Sequence, residues 1–344
     1  MTAHTPWFRR LFGFDEADWH ATRARFRVDG ERLHSLANGR EFELGRFSLP
    51  TVAGLRALHR QAARASSEAG APSDALQLRV THEVIGDVLP LHALDENRGA
   101  TFQAASQFNC LEFIDPTRTP EHGVTCYASD PTQGPACALA AAAGTVFRNY
   151  LVPLQGAVGQ TRERQIENLA EISRLVPGIV VRNGYTFVDR AALGALGALD
   201  RDELIGGVRI GFHSAVGVTF ADRWREPIQP THVSQAYCSA VSCAYQRDVP
   251  LMEWEPLATI ALDAAYEATL LAAAVDRASG RGSGKVWLTQ LGGGVFGNRR
   301  EWIVGAIARA LALCRDMPLD VRIAHFRSLD QRFVAELDMA RQAR

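Results

Sequence analysis

The sequence predicts an α/β fold, a three-layer α/β/α arrangement with a mixed central sheet, preceded by an N-terminal helical extension. Three observations predict it. From about residue 76 onward, strand-like apolar runs alternate with stretches of helical period, the pattern of a sheet packed between helices. Residues 1–75 have a different texture, rich in Arg, Ala and Ser. With 47% hydrophobic residues over 344 positions, the chain can bury a full core. The expected division is therefore a helical extension or cap over 1–75 and one catalytic domain over 76–344.

In the extension, "LPTVAGLRALHRQAARASSEAG" sets Leu49, Val52, Leu55 and Leu58 at helical spacing, and "GAPSD" then breaks the helix as a loop. The stretch "LQLRVTHEVIGDVLPL" opens the sheet domain. Further strands are expected in "ATFQAAS", "GIVVRNGYTFV", "GGVRIGFHSAVGVTF", "THVSQAYCSAVSCAY", "KVWLTQL" and "DVRIAHF". Helices are expected in "PACALAAAAGTVFRNYL", "RERQIENLAEISRLV", "PLATIALDAAYEATLLAAAVDRA" and "REWIVGAIARALALCRDM". Strands separated by helices call for parallel pairs, and the uneven spacing makes the sheet mixed.

Charge excludes some partners. Thirty-seven basic residues against thirty-eight acidic ones give no bulk attraction to nucleic acid or an anionic membrane. The N-terminal aromatics are interrupted by Arg9, Arg10, Asp15 and Glu16, so no signal peptide is expected there. The Ala/Leu-rich stretch near residue 260 carries Asp263 and Glu267 and reads as amphipathic, not membrane-spanning. Six cysteines without C-x-x-C spacing read as reduced thiols of a cytoplasmic protein, with no metal site. A nucleophilic Cys137 assisted by His122 is weaker than the plain alternative of a buried thiol.

The stretch "QLGGGVFGNRREW" (290–302) contains G-x-G-x-x-G at Gly292, Gly294 and Gly297. A triphosphate loop requires Lys and Ser/Thr after its last glycine, but Asn298, Arg299 and Arg300 follow. A dinucleotide fingerprint belongs in the first βαβ unit, with an acid ending the next strand. This loop lies late in the chain, and Asp320 begins its strand. What remains is local: a strand hands a glycine loop to a helix, so free N–H groups and the positive helix end converge on an anion, most simply a phosphate. The alternative is a glycine turn needed only for chain reversal.

A second constellation lies in the long segment 106–133. It carries Glu112, Asp115, Glu121, His122 and Asp130, with amides at Gln107, Asn109 and Gln133. Loops of this length tend to be functional or disordered, and Phe108, Leu111, Phe113, Ile114 and Tyr127 argue against disorder.

Together the two loops resemble the macrodomain family. "FQAAS" (102–106) is similar to that family's strand ending in N-A-A-N, and "GGGVFGN" (292–298) is similar to the G-[IV]-F-G loop that wraps the diphosphate of ADP-ribose. "VIGDV" (84–88) is similar to the segment whose aspartate contacts adenine, which gives that role to Asp87. The resemblance spans roughly residues 78–330. More narrowly, "QAASQFNCLEF", "HGVTCYASDPTQGPACALAAAAGTVFRNY" and "HVSQAYCSA" resemble the divergent group typified by the bacterial effector MavL, associated with removing ADP-ribose from arginine, ubiquitin's among others. The family asparagines are replaced by Gln103 and Ser106, the first loop is not poly-glycine, and the Q-E-E tract of poly-ADP-ribose glycohydrolases is missing. Catalytic assignments therefore do not transfer, and chain cleavage is not expected.

The resemblance implies an ADP-ribose site formed by Asp87, Gln103, Ser106, Gln107, Asn109, Gln133, Gly134, and the loop Gly292, Gly293, Gly294, Val295, Phe296, Gly297 and Asn298. In this assignment Gln107 and Asn109 hold ribose hydroxyls, and Gln133 with the Gly134 N–H holds the distal phosphate or water. Hydrolysing an N-glycosidic bond requires a carboxylate to activate water and stabilisation of an oxocarbenium-like transition state. Asp130 and Asp115 are the first candidates, then Glu121; Glu112 reads more readily as a solvated loop carboxylate or cap. The expected function is an ADP-ribosyl hydrolase acting on mono-ADP-ribosylated arginine of a protein, without cofactor or metal. The alternatives are a non-catalytic ADP-ribose reader and a hydrolase of a small ADP-ribose- or NAD-derived metabolite. Clustered carboxylates favour turnover, because they repel a dianion that a reader only needs to hold.

Overall fold

The computed structural model describes residues 6–68 and 77–344. The "GAPSD" loop and the boundary expected after residue 75 lie outside these residues.

The N-terminal segment starts with two short helices, α1 (Trp7–Phe12) and α2 (Trp19–Arg23). A meander follows: β1 (Phe26–Asp29), β2 (Arg32–Ser35) and β3 (Glu41–Glu43). Phe12 centres its core, in ring contact with Phe8, Phe26 and Phe42 at 4.8, 5.0 and 5.1 Å. Next come β4 (Arg46–Ser48) and α3 (Val52–Glu68), the helix expected from the leucine spacing. The segment read as helical thus also contains four strands, each of three or four residues and too short for a two-residue period to register.

The central sheet continues with β5 (Arg79–Ile85) and β6 (Thr101–Ala105). Beyond β6 the chain runs through the long loop to α4 (Gln133–Ala140), α5 (Ala142–Val146) and a π turn (Phe147–Leu151). A small hairpin, β7 (Pro153–Leu154) and β8 (Ala157–Val158), leads to α6 (Ala170–Leu175). The helix expected from residue 162 begins only at 170, because the preceding backbone donors go to loop partners: Ile166 N–H to Gln160 Oε1 and Asn168 N–H to the Phe108 carbonyl. The run 178–188 is a hairpin, β9 (Ile179–Arg182) and β10 (Tyr185–Val188). Its two turn residues, Asn183 and Gly184, have φ of +49° and +81°, the geometry that closes a two-residue hairpin. Then come α7 (Arg190–Ala195), α8 (Arg201–Gly207), β11 (Gly211–Gly217), β12 (His232–Cys238), α9 (Glu255–Ala278), β13 (Lys285–Leu288), α10 (Arg300–Leu313), β14 (Asp320–Phe326) and α11 (Gln331–Gln342).

The sheet has seven strands in the order β4-β11-β12-β6-β13-β14-β5. β4 and β11 pair antiparallel, as do β11 and β12; the five strands from β12 to β5 are parallel. The sheet is mixed, as expected, and the three-layer arrangement is the one the macrodomain resemblance implied. Helices α3, α8, α9, α10 and α11 pack together on one face. On the other face lie α4, α5 and the aromatic N-terminal segment. Helix α9 lies in the span Leu251–Ala278, which is long and apolar enough to cross a membrane, with mean hydropathy 1.4 in an 18-residue window, but 89% of that window is buried in the fold. Its Glu267 and Asp263 meet Arg309 and Arg201 at 2.7 and 2.8 Å, so it is the central core helix.

Candidate active site

Three neighbouring parallel strands, β12, β6 and β13, open their carboxyl ends on the same side, where an open α/β sheet forms its crevice. A cavity of about 360 Å3 lies there. One wall is the glycine loop from Thr289 to Phe296, and the other is built by Ser106, Gln107, Glu112–Ile114 and Asp130–Pro135. Tyr185 and Tyr245 close one side together with Phe296, their rings 4.9 to 5.8 Å apart. A larger cleft of about 500 Å3, between α10 and α11, is lined by Leu78, Ala308 and Leu311 with Arg315, Asp338 and Arg341, and carries no convergent set of catalytic groups.

The glycine loop is held from behind. Asn298 donates its backbone N–H to the Gly292 carbonyl at 3.0 Å and its Nδ2 to Val241 at 2.8 Å. Gly292 and Gly297 both have φ of +74°, and a Cβ at Gly292 would come within 2.3 Å of the Ala240 Cβ. Gly293 packs on Ile303, so Gly293, Gly297 and Asn298 shape the loop without lining the cavity. The N–H groups of Gly292, Gly294, Val295 and Phe296 donate to no acceptor in the described residues. That is an anion cradle beside the N-terminus of the 14-residue helix α10. Arg299 and Arg300 pair with Glu301 and Asp330 respectively. At Gly294 an added Cβ meets nothing within 4 Å, and a side chain would project into the space the loop lines.

The facing wall is stapled by glutamines. Gln107 accepts from the Phe113 N–H at 2.9 Å and donates to its carbonyl at 3.0 Å. Gln133 accepts from the Ala105 N–H at 2.8 Å and donates to the Gln103 carbonyl at 2.7 Å, so α4 begins locked to the end of β6. Tyr185 donates its hydroxyl to Phe113, and the Glu112 N–H donates to the Tyr127 hydroxyl at 2.8 Å. A loop with almost no regular structure is thereby fixed.

Of the proposed carboxylates, Asp130 reaches the cavity, half-buried, accepting from the Thr132 N–H at 2.9 Å and hydroxyl at 2.6 Å. Asp115 does not: it closes a turn onto Thr117, whose hydroxyl bond holds the carboxyl below its ordinary range. Glu121 also lies outside, exposed, accepting from the Arg162 N–H at 2.7 Å. Glu112, which sequence placed last, lines the cavity beside Asp130. It is 5% exposed, with Oε2 so close to Gly134 that a Cβ there would sit 2.3 Å from it. Burial pushes its carboxyl well above the usual range, Arg148 opposes that rise and Asp130 adds to it. Its signal in the sequence was position: the acid stands in "CLEF", between residues that are themselves buried.

The amides divide similarly. Ser106, Gln107, Gln133 and Gly134 line the cavity. Gln103 does not, because it is fully engaged in the sheet, donating to Thr269 Oγ1 at 3.1 Å and accepting from the Thr289 N–H at 3.3 Å. Asn109 is turned away to Gln165 at 2.9 Å. Asp87 is not a lining residue; it caps the Leu89 N–H at 2.9 Å and faces Arg223 at 3.7 Å. Cys137 is fully buried, its thiol pushed up by burial, while His122 accepts from the Thr119 N–H as part of a turn cap. Sequence reasoning missed Tyr185, Tyr245 and Ile114; the first arrives on the β9–β10 hairpin, whose Asn-Gly turn was the available signal.

Fold and cavity define an α/β/α protein with a crevice at the carboxyl ends of parallel strands, one wall lined by unpartnered backbone N–H groups and the other by carboxyls. Solved structures similar to it include a poly(ADP-ribose) glycohydrolase variant from Deinococcus radiodurans in complex with ADP-ribose, at 12% identity and TM-score 0.45, covering 86% of this chain and 93% of that one. Another is the poly(ADP-ribose) glycohydrolase from Thermomonospora curvata, at 15% identity and TM-score 0.42, covering 90% and 93%. Likeness at this level assigns no residue and no chemistry. No protein-family model matches the sequence, and no curated protein does.

Proposed function

We propose that this protein is an ADP-ribosyl hydrolase that cleaves the N-glycosidic bond of mono-ADP-ribosylated arginine on a protein and releases ADP-ribose. The observation that carries this reading is the pairing, across one cavity, of four free loop N–H groups with a buried carboxylic acid, Glu112. The free N–H groups of Gly292–Phe296 suit a diphosphate, and a pyrophosphate anchored there sets the distal ribose against Glu112 and Asp130. In the reaction the bond from the anomeric carbon to the guanidine nitrogen breaks and a bond to a water oxygen forms. Asp130 takes the water proton, and protonated Glu112 gives its proton to the leaving nitrogen; two carboxyls in unlike environments are what such a division requires. The acidic wall also suits a cationic leaving group. The macrodomain and MavL-type resemblance of "GGGVFGN" and the 102–150 segment supports arginine as the linkage.

Incubation with an arginine-ADP-ribosylated peptide or ubiquitin, following free ADP-ribose, tests it. The wild type releases ADP-ribose; Glu112→Gln loses about 10²–10⁴-fold in rate with ADP-ribose affinity kept. Asp115→Ala and Glu121→Ala stay close to wild type. Tight ADP-ribose binding without release would instead make the protein a reader.

A further inference from the structure

Among the described residues, five side chains that ordinarily carry a full charge are buried: Glu112, Arg148, Asp263, Glu267 and Asp276. Asp263 and Glu267 meet arginines, and Asp276 accepts from the hydroxyls of Ser214 and Ser234. Arg148 and Glu112 remain, each buried without an opposite charge in contact, and each with one buried polar atom lacking a partner, Nη1 of the arginine and Oε1 of the glutamate. A buried guanidinium without a counter-charge is costly enough that its place calls for a reason.

Arg148 is held firmly. It stands in the π turn after α5, a helical irregularity common at functional positions. Its Nε donates to the Cys110 carbonyl at 3.1 Å and its Nη2 to Thr145 Oγ1 at 3.0 Å, and the guanidinium lies 3.5 Å from the centroid of the Tyr237 ring. Cys110, two residues before Glu112, has φ of +61°, a left-handed conformation that only a well-determined environment imposes on a side chain of this kind. Gln160 donates to both the Arg148 and the Asn109 carbonyls, at 3.0 and 3.1 Å, tying the π turn to the strand-end loop that carries Glu112.

We propose that Arg148 is a positioning residue for Glu112: a cation sealed behind the cavity that draws the inner carboxyl oxygen toward the core, turns Oε2 to the cavity, and sets the pH at which the acid loses its proton. This rests on Glu112 being the acid of the reaction above. The other charged group acting on Glu112 is Asp130, on the loop before α4. The remaining titratable neighbours are neutral: the thiols of Cys110, pushed up by burial to about 12, and Cys137, and the phenols of Tyr127, Tyr185 and Tyr237, all raised by burial. Arg148 is therefore the one fixed cation working against desolvation at this carboxyl.

The test titrates Glu112 by the carbon resonance of its carboxyl in glutamate-labelled protein, assigned by its loss in Glu112→Gln, alongside the pH profile of kcat/KM. Arg148→Met moves the titration midpoint and the basic limb of the profile upward together by about one pH unit, with little change in KM. Arg148→Lys restores most of the shift. An activity loss with an unmoved midpoint would show a purely structural arginine and overturn the inference. If the wild type releases no ADP-ribose, the proposed reaction fails, yet the resonance still decides the Arg148–Glu112 relation. Where Arg148→Met does not fold, Arg148→Gln, which removes the charge but keeps hydrogen-bond donors, is read by the same resonance, and an unmoved midpoint again overturns it.

Discussion

At the scale of single residues, Glu112 trades stability for chemistry. Its folded-state carboxyl is raised above the unfolded value of 4.5 by burial, with Arg148 only partly opposing. A carboxyl of this sign contributes no penalty below the unfolded value, and its stability contribution is lost as pH rises toward and through the raised folded value, because the unfolded chain ionises first. Gln has nearly the same shape and no proton to lose. Glu112→Gln therefore gains stability over the wild type progressively as pH rises above the unfolded value of 4.5. Urea unfolding midpoints at several pH values measure this. A constant offset between the two proteins would show that Glu112 titrates normally, and the acid role would go with it.

At the scale of elements, the glycine loop separates what shapes a site from what fills it. Gly292 has φ of +74° and no room for a Cβ, whereas Gly294 has open space. Gly292→Val therefore destabilises the fold by about 1–3 kcal/mol and disrupts the loop. Gly294→Val leaves thermal stability near wild type but lowers ADP-ribose affinity at least about tenfold, since its side chain stands in ligand space. Calorimetric binding beside thermal melts distinguishes the two; equal losses of stability would remove the distinction. This loop was legible in the sequence because strand, glycines and helix follow one another within the range where local pattern operates. Every strand from β5 to β14 that enters the central sheet lay within an expected run for the same reason. The acidic loop was not legible. Which of its carboxylates enters the cavity depends on Gln107 folding back onto Phe113, on Tyr185 arriving from a hairpin some seventy residues later, and on Gln133 joining β6. Such contacts carry no period, so Asp115 and Glu121 read better in the sequence than Glu112.

At the scale of the whole molecule, the site depends on a core that contains neutral histidines. His92 lies fully buried against Phe102, rings stacked at 3.8 Å, in the layer on which α4 packs. Burial depresses its pKa from 6.5 to about 4. His213 of β11 sits between Phe47 and Phe147, and burial, then the nearby Arg148, depresses it from 6.5 to about 3. Because both folded values lie below the unfolded one, their stabilising contribution is complete above pH 6.5 and is lost as pH falls toward 4 and 3. The two together make unfolding easier by several kcal/mol between pH 6.5 and 4. His213→Phe, placed among rings that accept another ring, should keep neutral-pH stability within about 1 kcal/mol and flatten the acid limb of a stability profile. An acid limb as steep as the wild type's would mean that carboxylate protonation, not histidine burial, sets the acid limit of this fold.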